Sequence, residues 1–291
     1  MLTRDPEARA VDSARTSRRH GEPGPVRRPR WWPELLIAAA GYGLYTVVRN
    51  LQGRATRPAD YRRALSNAQR VIRVERSLNL FHERAIETAF LKAPWLVRGL
   101  DSFWAIAHFV ITALVVVWLI RWQPHRYRHL RTALALITAA GLLCFAVFPT
   151  VPPRLLPKSY GIVDTWAKVG GIAARTPPRI ERISDPFAAM PSLHLAWAVW
   201  CAAALLPAMK RPATRALAAG YPVVTLIAVL ATGNHFVLDT VAGIALALLC
   251  LVVTAGAGRL GRRRRRTADL AGEQGPGLAA MALAGQSGAA A

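Results

Sequence analysis

The chain has 291 residues, of which 53% are hydrophobic, and its formal net charge is +22 at pH 7. The apolar residues stand in long runs instead of helical stripes, so the composition excludes an ordinary soluble domain and is typical of a protein that crosses a membrane several times. The positive charge comes largely from arginines between and beyond these runs, and it suits an anionic membrane surface better than nucleic acid.

Basic tails flank the predicted membrane domain. Residues 1–30 are rich in Arg, Pro, Gly and Glu and are predicted to be disordered. Residues 258–291, with an arginine block followed by an Ala/Gly-rich stretch, are predicted to be a second disordered tail. Residues 31–257 are predicted to form an all-α domain of six transmembrane helices with an interfacial helical segment. The six predicted spans are residues 31–48, 100–120, 132–148, 192–206, 216–231 and 235–255.

Residues 49–98 differ from the spans, because no window in them is apolar enough to cross a bilayer. Their apolar residues recur at helical spacing between arginines and glutamates. We predict an amphipathic helix or helix pair that lies at the membrane interface. A basic amphipathic helix that binds a partner protein is the alternative.

His108 lies within the second predicted span. Ionisable residues inside a bilayer are costly to bury and are therefore functional candidates. We keep His108 as a possible neighbour of a site, without an assigned role.

A proline-rich stretch, PTVPPRLLP, follows the third predicted span. Its prolines keep the chain out of a helix and hold Arg154 at the membrane edge. The planar guanidinium could bind two phosphate oxygens and offset charge in a phosphoryl transition state. An arginine in a loop at a membrane edge is, however, more often an interfacial anchor.

In DPFAAMPSLHLAWAVW, residues 185–200, a polar loop becomes a long apolar run. Pro191 suits the first turn of a helix, since the amide that it lacks would be unpaired there. Ser192 and His194 would then lie at a helix N-terminus, where free N–H groups and the helix dipole favour an anion such as phosphate. The alternative is a serine cap with an incidental histidine.

A third polar cluster stands in ATGNHFVLDTVAG, where His235 and Asp239 are four residues apart and Asn234 precedes the histidine. On a helix this spacing puts both side chains on one face. A carboxylate bonded to one imidazole nitrogen fixes the tautomer and makes the other nitrogen a better nucleophile or base. A buried polar pair or a proton relay is the alternative.

Six spans place the loops on alternate faces of the membrane, so the three clusters can meet in one pocket. The opposite face would carry both termini and the basic turns around Arg126 and Arg211, which suggests the cytoplasm. We therefore expect the pocket on the extracytoplasmic face of a cell membrane.

Together these residues suffice for a two-step phosphoryl transfer without a metal ion or other cofactor. Arg154, Ser192 and nearby amides would hold the phosphate. His235, oriented by Asp239, would attack phosphorus to give a phosphohistidine. Protonated His194 would donate to the departing oxygen and then activate water or an acceptor alcohol.

AAMPSLHLAW followed by GNHFVLDTVAG, and preceded by PTVPPR, resembles the type 2 phosphatidic acid phosphatase superfamily. Within this superfamily, the chain most resembles the branch related to inositol-phosphorylceramide synthase. The resemblance covers residues 62–255 and implies a membrane lipid phosphatase or phosphotransferase. It implies that His235 is the nucleophile, that Asp239 orients it and that His194 is the leaving-group acid. It also implies that Ser192 and Arg154 bind the phosphate.

The chain departs from the family pattern in the phosphate site. The family usually has a serine–arginine pair shortly before the nucleophile, where this chain has Ala228 and Val229, and Leu193 replaces the usual glycine of the middle motif. We expect Lys158 or an arginine of residues 175–182 to supply the missing cation, with Asn234 as a further phosphate ligand. The PPR form of the first motif is typical of the synthase-like branch, so transfer of an inositol-phosphate-type head group is expected beside hydrolysis.

Three other hypotheses stay open. In one, Ser192 is the nucleophile and His235 its base, in hydrolysis or acyl transfer. In another, His194, His235 and Asp239 bind a metal ion. In the third the chain is a transporter or scaffold without enzymatic activity, whose histidines relay protons or merely pair.

Overall fold

The computed structural model describes scattered positions between residues 32 and 47 and the ranges 58–170 and 187–287. Their regular elements are helices and short 3-10 turns, apart from one isolated parallel bridge between Thr150 and Ala188. The predicted all-α class is confirmed. The predicted N-terminal tail, most of the first predicted span and residues 175–182 lie outside the described residues.

Two amphipathic helices, α1 (Pro58–Ser77) and α2 (Glu83–Phe90), precede the membrane helices. The buried face of α1 carries small and branched apolar residues, which pack in one cluster with Phe187 and Phe236. Its other face carries exposed arginines. The pattern of residues 49–98 thus predicted the helices, and their position at the membrane interface stays a prediction.

Six further helices follow in the described ranges: α3 (Pro94–Trp122), α4 (Pro124–Val147), α5 (Thr165–Val169), α6 (Leu193–Leu205), α7 (Pro212–Ala231) and α8 (Val237–Ser287). Of these, α3, α4, α7 and the first part of α8, Val237–Gly261, are long and apolar enough to cross a membrane. They lie at the second, third, fifth and sixth predicted spans. Helix α6 lies at the fourth but is shorter, so the number six stays a prediction.

Helix α6 occupies the middle of the bundle and packs against α3, α4, α7 and α8. Its Trp200 and Ala204 are fully buried, and the Trp200 indole N–H donates to the carbonyl oxygen of Leu130 at 2.8 Å. A helix that is apolar on all sides is expected in such a central position. The outward faces of the other four helices carry exposed apolar side chains, among them Phe109, Leu114, Leu143, Leu217 and Val252. These faces suit contact with lipid.

Helix α8 differs from the sequence-based prediction at both of its ends. It begins at Val237, two residues after His235, instead of at the histidine. At the other end it continues to Ser287, through most of the range that composition predicted to be disordered. The Ala, Leu and Arg residues of the extension favour a helix, whereas its glycines and Pro276 disfavour one, so composition alone does not explain its length.

Candidate active site

The N-termini of α6 and α8 meet at one end of the bundle. The amide of Ser192 donates to the carbonyl oxygen of Asp239 at 2.9 Å. Gly243, one turn further along α8, makes this approach possible, because a Cβ at this position would overlap the carbonyl oxygen of Ser192. The two helices thereby bring His194 and His235 to the same place.

Arg154 lies near the two histidines because its backbone binds the loop between α7 and α8. Its amide donates to the carbonyl oxygen of Gly233 at 2.8 Å. Gly233 has a φ of +64° and lies against the Arg154 backbone, a conformation that residues other than glycine rarely adopt. The three clusters that the sequence predicted to meet are therefore in contact.

His235 is buried, with 3% of its surface exposed. Its Nδ1 lies 2.8 Å from the carbonyl oxygen of Ala189. A carbonyl oxygen only accepts, so this contact assigns the proton to Nδ1 and leaves a lone pair on Nε2. Nε2 is therefore the ring atom whose lone pair could act as a nucleophile or a base.

Asp239 lies beside His235 but is not its closest partner. Its Oδ2 is 3.6 Å from His235 Nδ1 and accepts a hydrogen bond from the Phe236 amide at 2.9 Å. The predicted hydrogen bond from His235 to the Asp239 carboxylate is thus replaced by one to the Ala189 carbonyl oxygen. His235 precedes α8, so the four-residue spacing does not place the two side chains on one helical face. Asp239 caps the start of α8 instead, as an acidic side chain at the third helical position commonly does.

His194 stands between His235 and a wall of aromatic rings. Its Nδ1 lies 3.4 Å from His235 Nε2. The ring stacks on Trp104 with centroids 5.0 Å apart, and His108 meets it edge-on at 4.2 Å. His108 in turn is held through Nδ1 by the carbonyl oxygen of Trp104, at 2.9 Å. These rings pack against His194 next to its contact with His235.

Arg154 is held in place by three neighbours. Its Nε donates to Asn234 Oδ1 at 3.0 Å, its guanidinium carbon lies 3.5 Å from the centre of the Trp166 ring, and a terminal nitrogen is 3.6 Å from an oxygen of Asp164. Asn234 Nδ2 donates to the hydroxyl of Thr232 at 2.7 Å. Asn234 therefore positions Arg154, a different contact from the predicted one with phosphate.

Ser192 is the N-cap of α6. Its hydroxyl oxygen accepts from the Leu195 amide at 3.4 Å, and the side chain is fully buried. Pro191 precedes the cap instead of entering the first turn, because α6 begins at Leu193. The hydroxyl hydrogen of Ser192 is still available to donate, since a hydroxyl group carries both functions.

The structure does not bring Lys158 to the site. It lies exposed in a 3-10 turn, and none of the contacts found among the described residues joins it to the histidines. Ala228 and Val229 are fully buried, and the Val229 carbonyl oxygen accepts from the amides of Asn234 and His235 at 3.0 and 3.3 Å. At the position of the serine–arginine pair expected from the resemblance, this chain therefore tethers the histidine loop through its backbone.

Sequence reasoning gave no role to Trp104, His108 or Trp166. The available signal was weak. Trp104 and His108 stand one helical turn apart in an apolar run, and no local pattern marks Trp166. Within the part of the chain that the structure describes, no group of three His, Cys, Asp or Glu side chains could hold a metal ion.

Comparison with known proteins adds one match. A family model described as the PAP2 superfamily matches residues 69–253, which include all the residues of this site. No curated protein and no solved structure matched the chain.

Proposed function

Because the chain belongs to the PAP2 superfamily, we propose that it is a membrane enzyme that moves the phosphoryl group of a phosphorylated lipid through a phosphohistidine on His235. The approach of His235 Nε2 to His194 Nδ1, at 3.4 Å, carries the proposal. A nucleophile, an acid and a fixed cation are together what phosphoryl transfer to histidine needs.

The first step joins His235 Nε2 to phosphorus while the bond from phosphorus to the lipid oxygen breaks. His194 gives its proton to the departing oxygen. In the second step water or an alcohol attacks the phosphohistidine, and His194 takes the proton of the attacking hydroxyl. The Ala189 carbonyl keeps the proton on His235 Nδ1, so that the ring presents its lone pair at the start of each cycle.

Substrate binding must separate the two histidines. At 3.4 Å their facing nitrogens leave no room for a phosphorus atom, which needs an approach of about 3–3.5 Å to the attacking atom alone. His194 therefore turns toward the leaving oxygen as the phosphate enters. Trp104 and His108, which flank the His194 ring, guide this movement.

Arg154 supplies the positive charge for the transition state. Asn234 and Trp166 orient its guanidinium, so little reorganisation is needed when charge develops on the phosphoryl oxygens. We further propose that the Ser192 hydroxyl and an N–H group of α6 bind the same phosphate.

The substrate is proposed to be a lipid phosphate on the extracytoplasmic side of the cell membrane, and the product is free phosphate or a new phosphodiester. The exposed apolar faces of the long helices support a lipid substrate. The PPR motif, and the replacement of the usual serine–arginine pair by Ala228 and Val229, support the synthase-like branch, with transfer of an inositol-phosphate-type head group.

The test uses the purified full-length protein in lipid nanodiscs. Lipid phosphates and phosphoinositides are supplied with and without lipid alcohols, and free phosphate and phosphodiesters are measured. His235→Ala is expected to abolish either product, while the exposed His82→Ala serves as a matched control. No product from any lipid phosphate, or full activity of His235→Ala, contradicts the proposal.

The serine-nucleophile hypothesis makes a different prediction. If Ser192 is the nucleophile, Ser192→Ala should have essentially no turnover. If Ser192 caps α6 and binds phosphate, Ser192→Ala should keep some turnover. We expect residual turnover, because the Ser192 hydroxyl oxygen is already engaged with the Leu195 amide.

A further inference from the structure

Three buried carboxylates hold the first turn of α8, next to His235. Each accepts a hydrogen bond from a different one of three consecutive amides. The bonds are Phe236 N to Asp239 Oδ2 at 2.9 Å, Val237 N to Glu83 Oε1 at 3.2 Å and Leu238 N to Glu75 Oε1 at 2.7 Å. Two of these carboxylates come from α1 and α2, about 150 to 160 positions earlier in the chain.

Glu75 and Glu83 are enclosed to a degree that is unusual for glutamates. Their exposed fractions are 0% and 1%. The Oε2 atom of each is also buried, and neither has a hydrogen-bond donor among the described residues. The side chains of Glu75 and Glu83 interact with each other as hydrogen-bond partners, so one proton shared between the two carboxyl groups supplies the missing donor.

The surroundings favour this protonation. Burial is the main cause that raises the pKa of Glu75 to about 8; the hydrogen bond from the Leu238 amide opposes the rise, and the charges of Glu83 and Asp239 add to it. Burial also raises the pKa of Glu83, and Asp239 acts on it in the same direction. The arginines next to these residues in sequence, Arg76 and Arg84, are exposed and line an open groove instead.

This first turn supports both histidines. His235 directly precedes it, and the Asp239 carbonyl oxygen at its end accepts from the Ser192 amide at the start of α6. A displacement of the turn would therefore move His235 and His194 relative to each other.

We propose that Glu75 and Glu83, sharing one proton, are positioning residues that fix the first turn of α8 and thereby the geometry of the two reacting histidines. The inference rests on the proposed function of His235. When the shared proton is lost, three negative charges stand together at the turn. Their mutual repulsion loosens it, and their field opposes the entry of an anionic phosphate.

The decisive variant is Glu75→Gln. Its amide oxygen can accept from Leu238, and its amide nitrogen can donate to Glu83, so the variant carries the shared hydrogen permanently. We expect near wild-type kcat at pH 7, and we expect the decline of wild-type kcat above about pH 8 to disappear. Glu75→Ala removes the tether, and the resulting misplacement of the reacting histidines should lower kcat about tenfold or more, with a smaller change in KM.

Glu87→Gln is the matched control. Glu87 is equally buried and lies on the same helix as Glu83, but it accepts from the Val163 amide at 2.9 Å instead of from α8. Its variant should keep the wild-type pH profile of kcat. An alkaline decline of the same size in Glu75→Gln and wild type, or wild-type kcat in Glu75→Ala, overturns the inference.

Thermal unfolding keeps the inference separate from the proposed function. The folded chain holds a proton on Glu75 between pH 4.5, its ordinary pKa, and about 8, where the unfolded chain releases it. The stability of the wild type relative to Glu75→Gln should therefore fall as pH rises through this window. If this difference in stability is observed but no lipid phosphate is turned over, only the proposed function is refuted. If the stability of Glu75→Gln depends on pH as that of the wild type does, the shared proton is refuted, even if Glu75→Ala does not fold.

Discussion

Replacing Arg154 with alanine should lower kcat about 10²- to 10³-fold, the cost of removing one preorganised donor to transition-state charge. The Arg154 side chain is 10% exposed, and Asn234 and Trp166 orient its guanidinium, so solvent screens its charge only weakly. Lysine at this position keeps the charge but lacks the Nε that donates to Asn234 and the flat group that lies 3.5 Å from the Trp166 ring. We therefore expect Arg154→Lys to lose about tenfold, the value of one hydrogen bond to a charged group.

The assay is turnover of a lipid phosphate in nanodiscs, with kcat and KM measured separately. Arg211→Ala is the control, because Arg211 is exposed and caps α7 at the end remote from the histidine loop. Thermal unfolding should show a loss of about 1–3 kcal/mol for Arg154→Ala, since Asn234 Oδ1 loses its donor. Full kcat in Arg154→Ala, or a loss explained entirely by unfolded protein, would refute the role in the transition state. Lys158→Ala, measured beside it, should have little effect.

Gly243→Ala should destabilise the protein by about 1–3 kcal/mol through overpacking against Ser192. Gly256→Ala should not, because open space surrounds Gly256. Equal melting temperatures of the two variants would contradict this. Trp166→Leu removes the ring under Arg154, so kcat should fall about three- to tenfold, as loss of a cation–π contact of about 1 kcal/mol implies, and unchanged kcat would count against that support. The stability of the wild type relative to Glu75→Gln should fall between pH 4.5 and about 8, by at most about 1.4 kcal/mol per pH unit; a relative rise over this range in unfolding experiments would contradict it.

Composition and periodicity predicted the elements that depend on local sequence. Apolar runs with a proline in the first turn are enough to specify α3, α4 and α7, and the motif order predicted the superfamily that the family model then matched. The amphipathic pattern of residues 49–98 likewise predicted α1 and α2. In each case the physical cause lies within one helix.

Contacts between distant segments could not be predicted in this way. The pairing of His235 with the Ala189 carbonyl depends on the exact residue at which α8 begins, and periodicity locates helix ends only to within a few residues. The hydrogen bond from Leu238 to Glu75 joins positions 163 apart, and no local pattern marks a buried glutamate in an amphipathic helix. The stacking of His194 on Trp104 likewise requires the packing of α3 against α6.

Trapping the covalent intermediate tests the account most directly. The protein is mixed briefly with a ³²P-labelled lipid phosphate, quenched in alkali and digested, and the labelled peptide is identified. We predict acid-labile phosphate on His235, none in His235→Ala, and a longer-lived label in His194→Ala, since His194 also activates the second nucleophile. Acid-stable phosphate on Ser192, or turnover without label on His235, would contradict the account.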